Sequence, residues 1–443
     1  MSQERMPERE RTFSLWDHAA LWAALGISLY AMPFGSLIVP ALSLERAFLA
    51  TLVAAFLGAL LVAGAAAIGA RSGLGTAGLL ESLLGPHAGR AAAGLLLLRH
   101  VLVGALVLSV IGSAAALVSA RTLGAGLRPF WVVVFGAVGL GLAAAGPELF
   151  VRRLLRRGGI WLMLLVALAI TLSAYFEFEI PAYLRRPAVG GWPEFWQAVD
   201  VMLVVPLLWL PLAPDYGRHG RGLGGTAGGT FIGLLIATAW LGYLGVVYLP
   251  ATDRGDIAGF VTGMNLSLGA LAILLLLQTD ETFANARSGG LTLGALVPLD
   301  IRLATLLAGA ASILLAAIFD LLRIEGSILL LASAFVPLFG VIMAGQILWA
   351  ASGARISPLW SGVAWLLGFA FYHWIAPSEA QWWLDATRWL FADSLGLPYP
   401  LTEEVRWLGA AVSSFLLAFA LQSLGGLATL AARPFARGAP NAD

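Results

Sequence analysis

The sequence predicts an all-α polytopic membrane protein with 12 transmembrane helices, and three observations support this prediction. The 443 residues are 60% hydrophobic and only 12% charged, whereas soluble domains carry about 25% charged residues. Apolar runs such as 47–70 and 224–250 are long enough to cross a hydrocarbon core of about 30 Å. The first fifteen residues are charged and lack the apolar core of a signal peptide. We therefore expect 1–15 to be a cytoplasmic tail.

The individual spans are predicted from hydropathy over windows of about twenty residues, and glycine, proline and arginine residues mark their ends. In chain order they are predicted near 17–43, 46–70, 90–120, 130–147, 158–177, 196–214, 224–250, 260–286, 296–318, 326–350, 357–376 and 405–431. The segment 377–403 is too polar to span. Its tryptophans favour an interfacial loop with a short helix, and a lid over the outer vestibule is the alternative.

Charged residues between the spans orient the chain, because cytoplasmic loops carry an excess of arginine and lysine. With the N-terminus inside, one set of loops is basic: Arg71, Arg90, Arg152, Arg153, Arg156, Arg157, Arg218, Arg221, Arg287 and Arg355. The other set is acidic: Glu177, Glu179, Glu194, Asp253, Asp256, Glu379, Asp385, Asp393, Glu403 and Glu404. Both termini, including the tail 433–443, are therefore predicted to be cytoplasmic in a bacterial or archaeal inner membrane.

Prolines and glycines interrupt the first and sixth spans at corresponding positions. The first contains YAMPFGSLIVP (30–40) and the sixth contains VVPLLWLPLAPDYGRHGRG (204–222). Proline removes a backbone donor and clashes with the preceding turn, so each helix should be bent or unwound. Interrupted segments that open two halves of five helices indicate a transporter whose substrate binds at the midplane. The alternative is that the prolines only kink two membrane helices.

Two adjacent acids, Asp280 and Glu281, follow an apolar run in the eighth span. Ionisable groups at membrane depth are costly and commonly serve ions or protons. At least one of the two is therefore a candidate cation- or proton-coupling residue, and helical spacing places Glu281 beside Asn285. The alternative is a solvated cytoplasmic helix end in which Asp280 pairs with Arg287.

Several stretches together resemble the nucleobase:cation symporter-1 family, and within it the hydroxymethylpyrimidine (thiamine-precursor) transporter branch. The resemblance runs from Ser14 to about Trp374. It is carried by SLW (14–16), GSLIVPALSLERAFLA (35–50), GARSG (69–73), PLLWLPLAPDYGRHGRG (206–222), TDETFANARSGG (279–290), EGSILLLASAFVPLFGVIMAG (325–345) and WLLGFAFYHW (365–374).

The resemblance implies a LeuT-like inverted repeat and uptake of a small planar heterocycle together with Na+ or H+. It implies that Trp209 stacks on the ligand, that Asn285 makes a polar contact, and that Gly35 and Ser36 lie in an unwound stretch. The family's third-span tryptophan is replaced by Ala105, so one wall of the stack is missing.

The remaining expectations complete the predicted site. Tyr30 and Phe34 either line the pocket or are ordinary membrane aromatics, and His100 or Arg99 supplies a polar contact one turn from Ala105. The resemblance also implies coupling groups on the eighth span, with Na+ held at Thr279 and Asp280: Thr279, Asp280, Glu281 and Thr282.

The predicted organisation is a transport core at 16–350, with repeats of about 16–177 and 196–350, followed by peripheral helices at 351–432. The partners would be a small solute and the lipid bilayer, with no nucleic acid and no cofactor beyond the coupling ion, in a monomer or weak oligomer. A LeuT-like carrier of an amino acid or amine is the alternative function. Enzyme motifs such as HExxH are absent from the sequence, and paired broken helices fit a binding site better than a channel.

Overall fold

The computed structural model describes residues 5–177, 187–252, 268–353 and 356–436. Within these ranges the regular secondary structure is helical, apart from one isolated bridge between Phe13 and Gly220. The first five spans are Leu15–Gly26 with Ala31–Leu37, Leu44–Ser72, Thr76–Leu123, Arg128–Ala145, and a π-helical Leu149–Gly159 continued by Ile160–Glu177. The next five are Phe195–Leu208 with Leu210–Leu212 and Ala213–Gly217, Leu223–Thr252, Leu268–Leu277 with Thr279–Leu296, Ile301–Ile318, and Glu325–Ser333 with Phe335–Ser352. The last two are Pro358–Ile375 and Ala410–Ala436.

The number of spans was tested by helix length and composition. Among the described residues, nine helices are long and apolar enough to cross a membrane, or ten if the bent pair Leu15–Gly26 and Ala31–Leu37 counts as one span. The predicted eighth and eleventh spans are helical but do not belong to that set. The count of twelve therefore stays a prediction. The predicted start of the eighth span at 260, and the loop residues Glu179, Asp253, Asp256 and Arg355, lie outside the described residues.

The helices pack as two groups, and each group combines spans from the first half of the chain with spans from the second half. The first and sixth spans pack with the second and seventh, whereas the third and eighth pack with the fourth and ninth. The tenth and eleventh spans pack against the twelfth. The two broken helices therefore lie in one group and face the third and eighth spans of the other.

Close approach of helices depends on glycine, as in membrane bundles generally. A Cβ on Gly35 would lie 2.6 Å from the backbone nitrogen of Val246 in the seventh span. Gly35 was predicted to lie in an unwound stretch that offers its backbone to a ligand. Instead it sits in the helix Ala31–Leu37 and allows that helix to pack against the seventh span.

The break in the first span lies earlier than predicted. The chain leaves the helix at Ile27 and re-enters it at Ala31, and the two pieces are bent by 57°. Pro33 and Ser36 are therefore helical, because proline is tolerated in the first turn of a helix. The unwound residues are 27–30.

The eighth span also differs from the prediction, which ended it at 286. A break at Gln278 separates Leu268–Leu277 from Thr279–Leu296, so the second helix continues ten residues beyond that end. Asp280 and Glu281 are each 2% exposed, and within the described chain neither carboxylate lies within 4 Å of Arg287. The interpretation as a solvated helix end paired with Arg287 is wrong.

The segment 377–403 contains the short helix Gln381–Arg388, a π-helical turn Trp389–Ser394 and a 3-10 turn Leu401–Glu403. A short helix was predicted here. The first part of the segment, from Pro377 to Trp382, lines a large cavity that is described below.

Candidate substrate and coupling site

The break in the first span is held by one side chain of the eighth. The backbone nitrogen of Leu29 donates to Oε1 of Gln278 at 2.8 Å, and Nε2 of Gln278 donates to the carbonyl of Ile27 at 2.8 Å. Unpaired backbone groups cannot be left in an apolar interior without a large cost. The Gln278 amide therefore replaces the helical hydrogen bonds that the first span gives up.

The two acids follow this glutamine directly, and Glu281 faces the same break. The Glu281 side chain interacts with the Ser28 hydroxyl, and Ser28 lies between Ile27 and Leu29. Oε1 of Glu281 and both carboxylate oxygens of Asp280 are buried and have no side-chain hydrogen-bond partner in the described chain. Thr279 donates to the carbonyl of Leu276 at 2.7 Å. The first break is thus next to a buried carboxylate that can accept a cation or a proton.

The break in the sixth span is organised differently. Trp209 stands between the helix Phe195–Leu208 and the turn Leu210–Leu212; it is 3% exposed, and its indole nitrogen has no partner among the described residues. The hydroxyl of Thr76 donates to the carbonyl of Pro211 at 2.6 Å, and its backbone nitrogen donates to Asp215 Oδ1 at 2.9 Å. The start of the third span therefore stabilises the irregular part of the sixth.

A polar cluster joins the third, sixth and eighth spans. Arg99 is fully buried, and one of its guanidinium nitrogens donates to the carbonyl of Leu208. The other lies 3.1 Å from Asn285 Oδ1 and 3.0 Å from His100 Nδ1. Asn285 in turn donates to the carbonyl of Glu281 at 3.0 Å. This cluster connects the sixth-span break to the helix that carries the acids.

A cavity of about 640 Å³ opens at the Leu37 end of the first span. Phe34 lies in its wall, together with Glu325 of the tenth span and Trp382 of the 377–403 segment. The hydroxyl of Tyr30 donates to the Glu325 carboxylate, and the Tyr30 ring packs edge-on against Phe34 at 5.2 Å. Trp209, Asn285 and Glu281 do not belong to the cavity wall. The contact between Tyr30 and Glu325 therefore bridges the first and tenth spans between the cavity and the polar cluster.

The opposite end of the first span is sealed by the N-terminal segment. The backbone nitrogen of Phe13 donates to His219 O at 2.9 Å, and its ring stacks on the His219 ring at 5.2 Å. Arg11 donates to the carbonyl of Ala70 at 2.9 Å. The buried carboxylate of Asp17 pairs with Arg156 at 3.0 Å. Contacts from the sixth, second and fifth spans thus close this face.

Three of the predicted binding residues come together, and others do not. His100, Asn285 and Glu281 are linked through Arg99 and the chain of hydrogen bonds described above, with Trp209 next to Leu208. Ser36 donates within its own helix to the carbonyl of Pro33. Thr282 packs against the fourth span, because a Cβ on Gly139 would lie 2.6 Å from its Cβ. Ser36 and Thr282 therefore lie apart from the cluster.

Sequence reasoning missed Gln278 and Glu325. Gln278 is the residue that ends an apolar run just before Thr279, so its polarity was a usable signal. Glu325 is an acid that opens a membrane helix, which was a weaker signal. Neither their partners nor the spans they join were visible in the sequence, because Gln278 and Leu29 are 249 residues apart.

The arrangement of two discontinuous helices, facing buried polar groups on the third and eighth spans, defines a membrane carrier with a LeuT-like inverted-repeat fold. Solved structures support the fold. Mhp1, a nucleobase-cation-symport-1 family transporter in a closed conformation with bromovinylhydantoin bound, superposes with a TM-score of 0.69 at 14% identity, covering 98% of this chain and 96% of that chain. A Na+-coupled sialic acid symporter gives a TM-score of 0.60 at 12% identity, with 95% and 91% covered. MhsT in complex with L-phenylalanine gives 0.55 at 16% identity, with 92% and 98% covered.

The family follows from the sequence itself. Residues 5–357 match the profile of the family described as permeases for cytosine/purines, uracil, thiamine and allantoin, and the chain belongs to this family. It is therefore a multi-pass membrane transporter of small molecules and a non-enzymatic carrier. A comparison with curated proteins finds no match to the sequence.

Proposed function

We propose that the protein is a symporter that imports a small planar heterocycle together with Na+ or H+ by alternating access. The heterocycle would be a pyrimidine-type nucleobase or a hydroxymethylpyrimidine-like thiamine precursor. The family's printed substrates, cytosine/purines, uracil, thiamine and allantoin, support this class of solute. The LeuT-like fold supports coupling to a cation.

One observation carries the coupling: the buried Glu281 carboxylate lies beside the unwound residue Ser28, and neither it nor the buried carboxylate of Asp280 has a cationic partner among the described residues. A buried carboxylate is stable when it is protonated or when a cation lies next to it. Either state binds the coupling ion. In the Na+ case, Asp280 and Thr279 would supply oxygen ligands.

The two ends of the molecule support alternating access. A cavity opens at the Leu37 end, and the N-terminal segment closes the Leu15 end. With the N-terminus in the cytoplasm, as the arginine pattern predicts, the open cavity faces outward. Transport would then require the contacts of Phe13 with His219 and of Asp17 with Arg156 to open.

The test is uptake into proteoliposomes with imposed Na+ or pH gradients. Asp280→Asn and Glu281→Gln keep the shape of each side chain and remove its charge, and Glu404→Gln, at an exposed position, is the matched control. We expect the variant at the coupling residue to exchange substrate across the membrane but to lose accumulation against a gradient. If both variants accumulate substrate as well as the control does, the coupling site lies elsewhere.

An amino acid or amine carrier is the second candidate. It is favoured by the small residues on the third span where an aromatic wall was expected: Ala105, and Gly104, whose Cβ would lie 3.1 Å from the Cβ of Asn285. A thermal-shift panel of nucleobases, thiamine precursors and amino acids, with and without Na+, separates the two candidates. Stabilisation by amino acids alone would overturn the heterocycle proposal.

A further inference from the structure

Arg99 is a permanent positive charge in the interior that lacks an ionic partner. Its side chain is fully buried, and within the described residues no carboxylate lies within 4 Å of it. Its hydrogen bonds go only to neutral groups, which are the Leu208 carbonyl, Asn285 and His100. Removing a charge from water is costly unless it is paired and hydrogen-bonded. The charge is therefore only partly compensated within the protein.

The same cluster also contains unused donors. Nε of Arg99, Nε2 of His100 and the indole nitrogen of Trp209 are buried and have no partner in the described parts of the chain. Buried polar atoms normally find partners, so the orphaned nitrogens of Arg99 and His100, whose side chains contact each other, need an acceptor. A guanidinium presents a planar fork of donors that matches an oxyanion.

We propose that the transported heterocycle carries an anionic oxygen group, such as a ring carboxylate, and that Arg99 binds this group beside the break of the sixth span. This inference rests on the proposed function and specifies its substrate class. The ring stacks on Trp209, while the carboxylate replaces neutral contacts of the guanidinium. The cation held near Asp280 then travels with an anion, so that one positive charge accompanies one negative charge.

A structural role for Arg99 is the competing explanation, since its donation to Leu208 holds the C-terminal end of the helix Phe195–Leu208. A cation at a helix C-terminus is favourable. That role does not use the free Nε atom of Arg99. It predicts that replacing Arg99 lowers the affinity for neutral and for anionic ligands equally. The two explanations therefore differ in charge selectivity.

The experiment measures binding of matched pairs to the purified full chain in saturating Na+ at pH 7. The probes are uracil against uracil-6-carboxylate and hydantoin against hydantoin-5-acetate, in isothermal titration calorimetry. We expect the wild type to bind at least one carboxylated member about 10- to 100-fold more tightly than its neutral partner, the range of one charge-assisted hydrogen bond. Arg99→Gln should remove this preference and leave binding of the neutral ring within about threefold.

Two control variants separate the effect of the Arg99 charge on ligand preference from an effect of the substitution on folding. Arg128→Gln is the matched variant, because Arg128 also donates to a carbonyl, that of Phe319, but far from the cluster; the preference should persist. Arg99→Lys keeps the positive charge without the planar set of guanidinium donors, and it should retain an intermediate preference. It replaces Arg99→Gln in the test if that variant does not fold. Neutral rings bound more tightly than carboxylated ones by the wild type would overturn the inference and leave the proposed function standing. If neither member of any pair binds, the proposed heterocycle class fails, and the inference fails with it.

Discussion

The two helix breaks differ in the side chains that contact them. The first break, at 27–30, lies against the eighth span, where Gln278 ties its backbone and two carboxylates follow. The second, around Trp209, lies against the third span, where Arg99 and Thr76 donate to its carbonyls. One break is therefore surrounded by acceptors suited to a cation, and the other by donors suited to an anion or a polar ring.

On our proposal the two similar interruptions serve two different ligands. An unwound helix exposes both carbonyls and amides, so the backbone alone does not decide which charge binds. We propose that the neighbouring span decides it, through carboxylates at the first break and a guanidinium at the second. If this division holds, substitutions at the first break should change ion coupling and stability, and those at the second should change substrate affinity.

The largest effect is expected at Gln278. Gln278→Leu leaves the Leu29 amide and the Ile27 carbonyl without partners, and each orphaned buried group costs about 1–3 kcal/mol. We expect a large fall in melting temperature in detergent and loss of cation-driven uptake. Gln381→Leu, at an exposed glutamine, is the control. An unchanged melting temperature for Gln278→Leu would show that the break does not depend on this clamp.

A methyl group at Gly35 should also be costly. In Gly35→Ala the new Cβ lies 2.6 Å from the Val246 backbone nitrogen, and overpacking of this kind costs about 1–3 kcal/mol. Gly94→Ala is the control, because its Cβ meets no atom within 4 Å and alanine favours the helix. We expect the first variant to melt at a lower temperature and the second to melt at the same or a higher one. Equal melting would argue against this close packing.

At the second break, Trp209→Ala should weaken substrate binding about tenfold, since stacking of a base on an aromatic ring contributes roughly 1–3 kcal/mol. Calorimetry with the best ligand of the thermal-shift panel measures the change, and Trp209→Phe should retain most of the affinity. Na+ binding without substrate should be unaffected. Unchanged substrate affinity in the alanine variant would rule out stacking.

The smallest effect is expected for Thr76→Val, which keeps the side-chain volume but removes the bond to the Pro211 carbonyl. One neutral hydrogen bond is worth about 1 kcal/mol, so a small fall in melting temperature with a few-fold loss of substrate affinity should result. Thr122→Val is the matched control, because its hydroxyl bonds to Val118 in its own helix at an exposed position. If the two variants behave alike, the third span does not support the second break.

The broken helices could be predicted, but the position of the first break could not. Pro33 marked the interruption, yet it lies in the first turn of the helix Ala31–Leu37 instead of in the gap, because proline at the first turn costs no hydrogen bond. The acids were recognised from hydropathy alone. The alternative that placed the acids at a solvated helix end misjudged their depth, because both are buried and the fourth and ninth spans pack against this helix.

By itself the sequence determined the membrane class, the two interrupted spans and the family, and it predicted Asp280, Glu281, Asn285 and Trp209 as site residues. These follow from hydropathy, proline chemistry and local motifs, which act over a few neighbouring residues. Only the tertiary structure decided that Gln278 clamps the first break, that Arg99 lacks an ionic partner and that Gly35 faces a helix backbone. Those properties depend on which side chains meet across spans far apart in the chain, and helix periodicity specifies a face of a helix but not its neighbour.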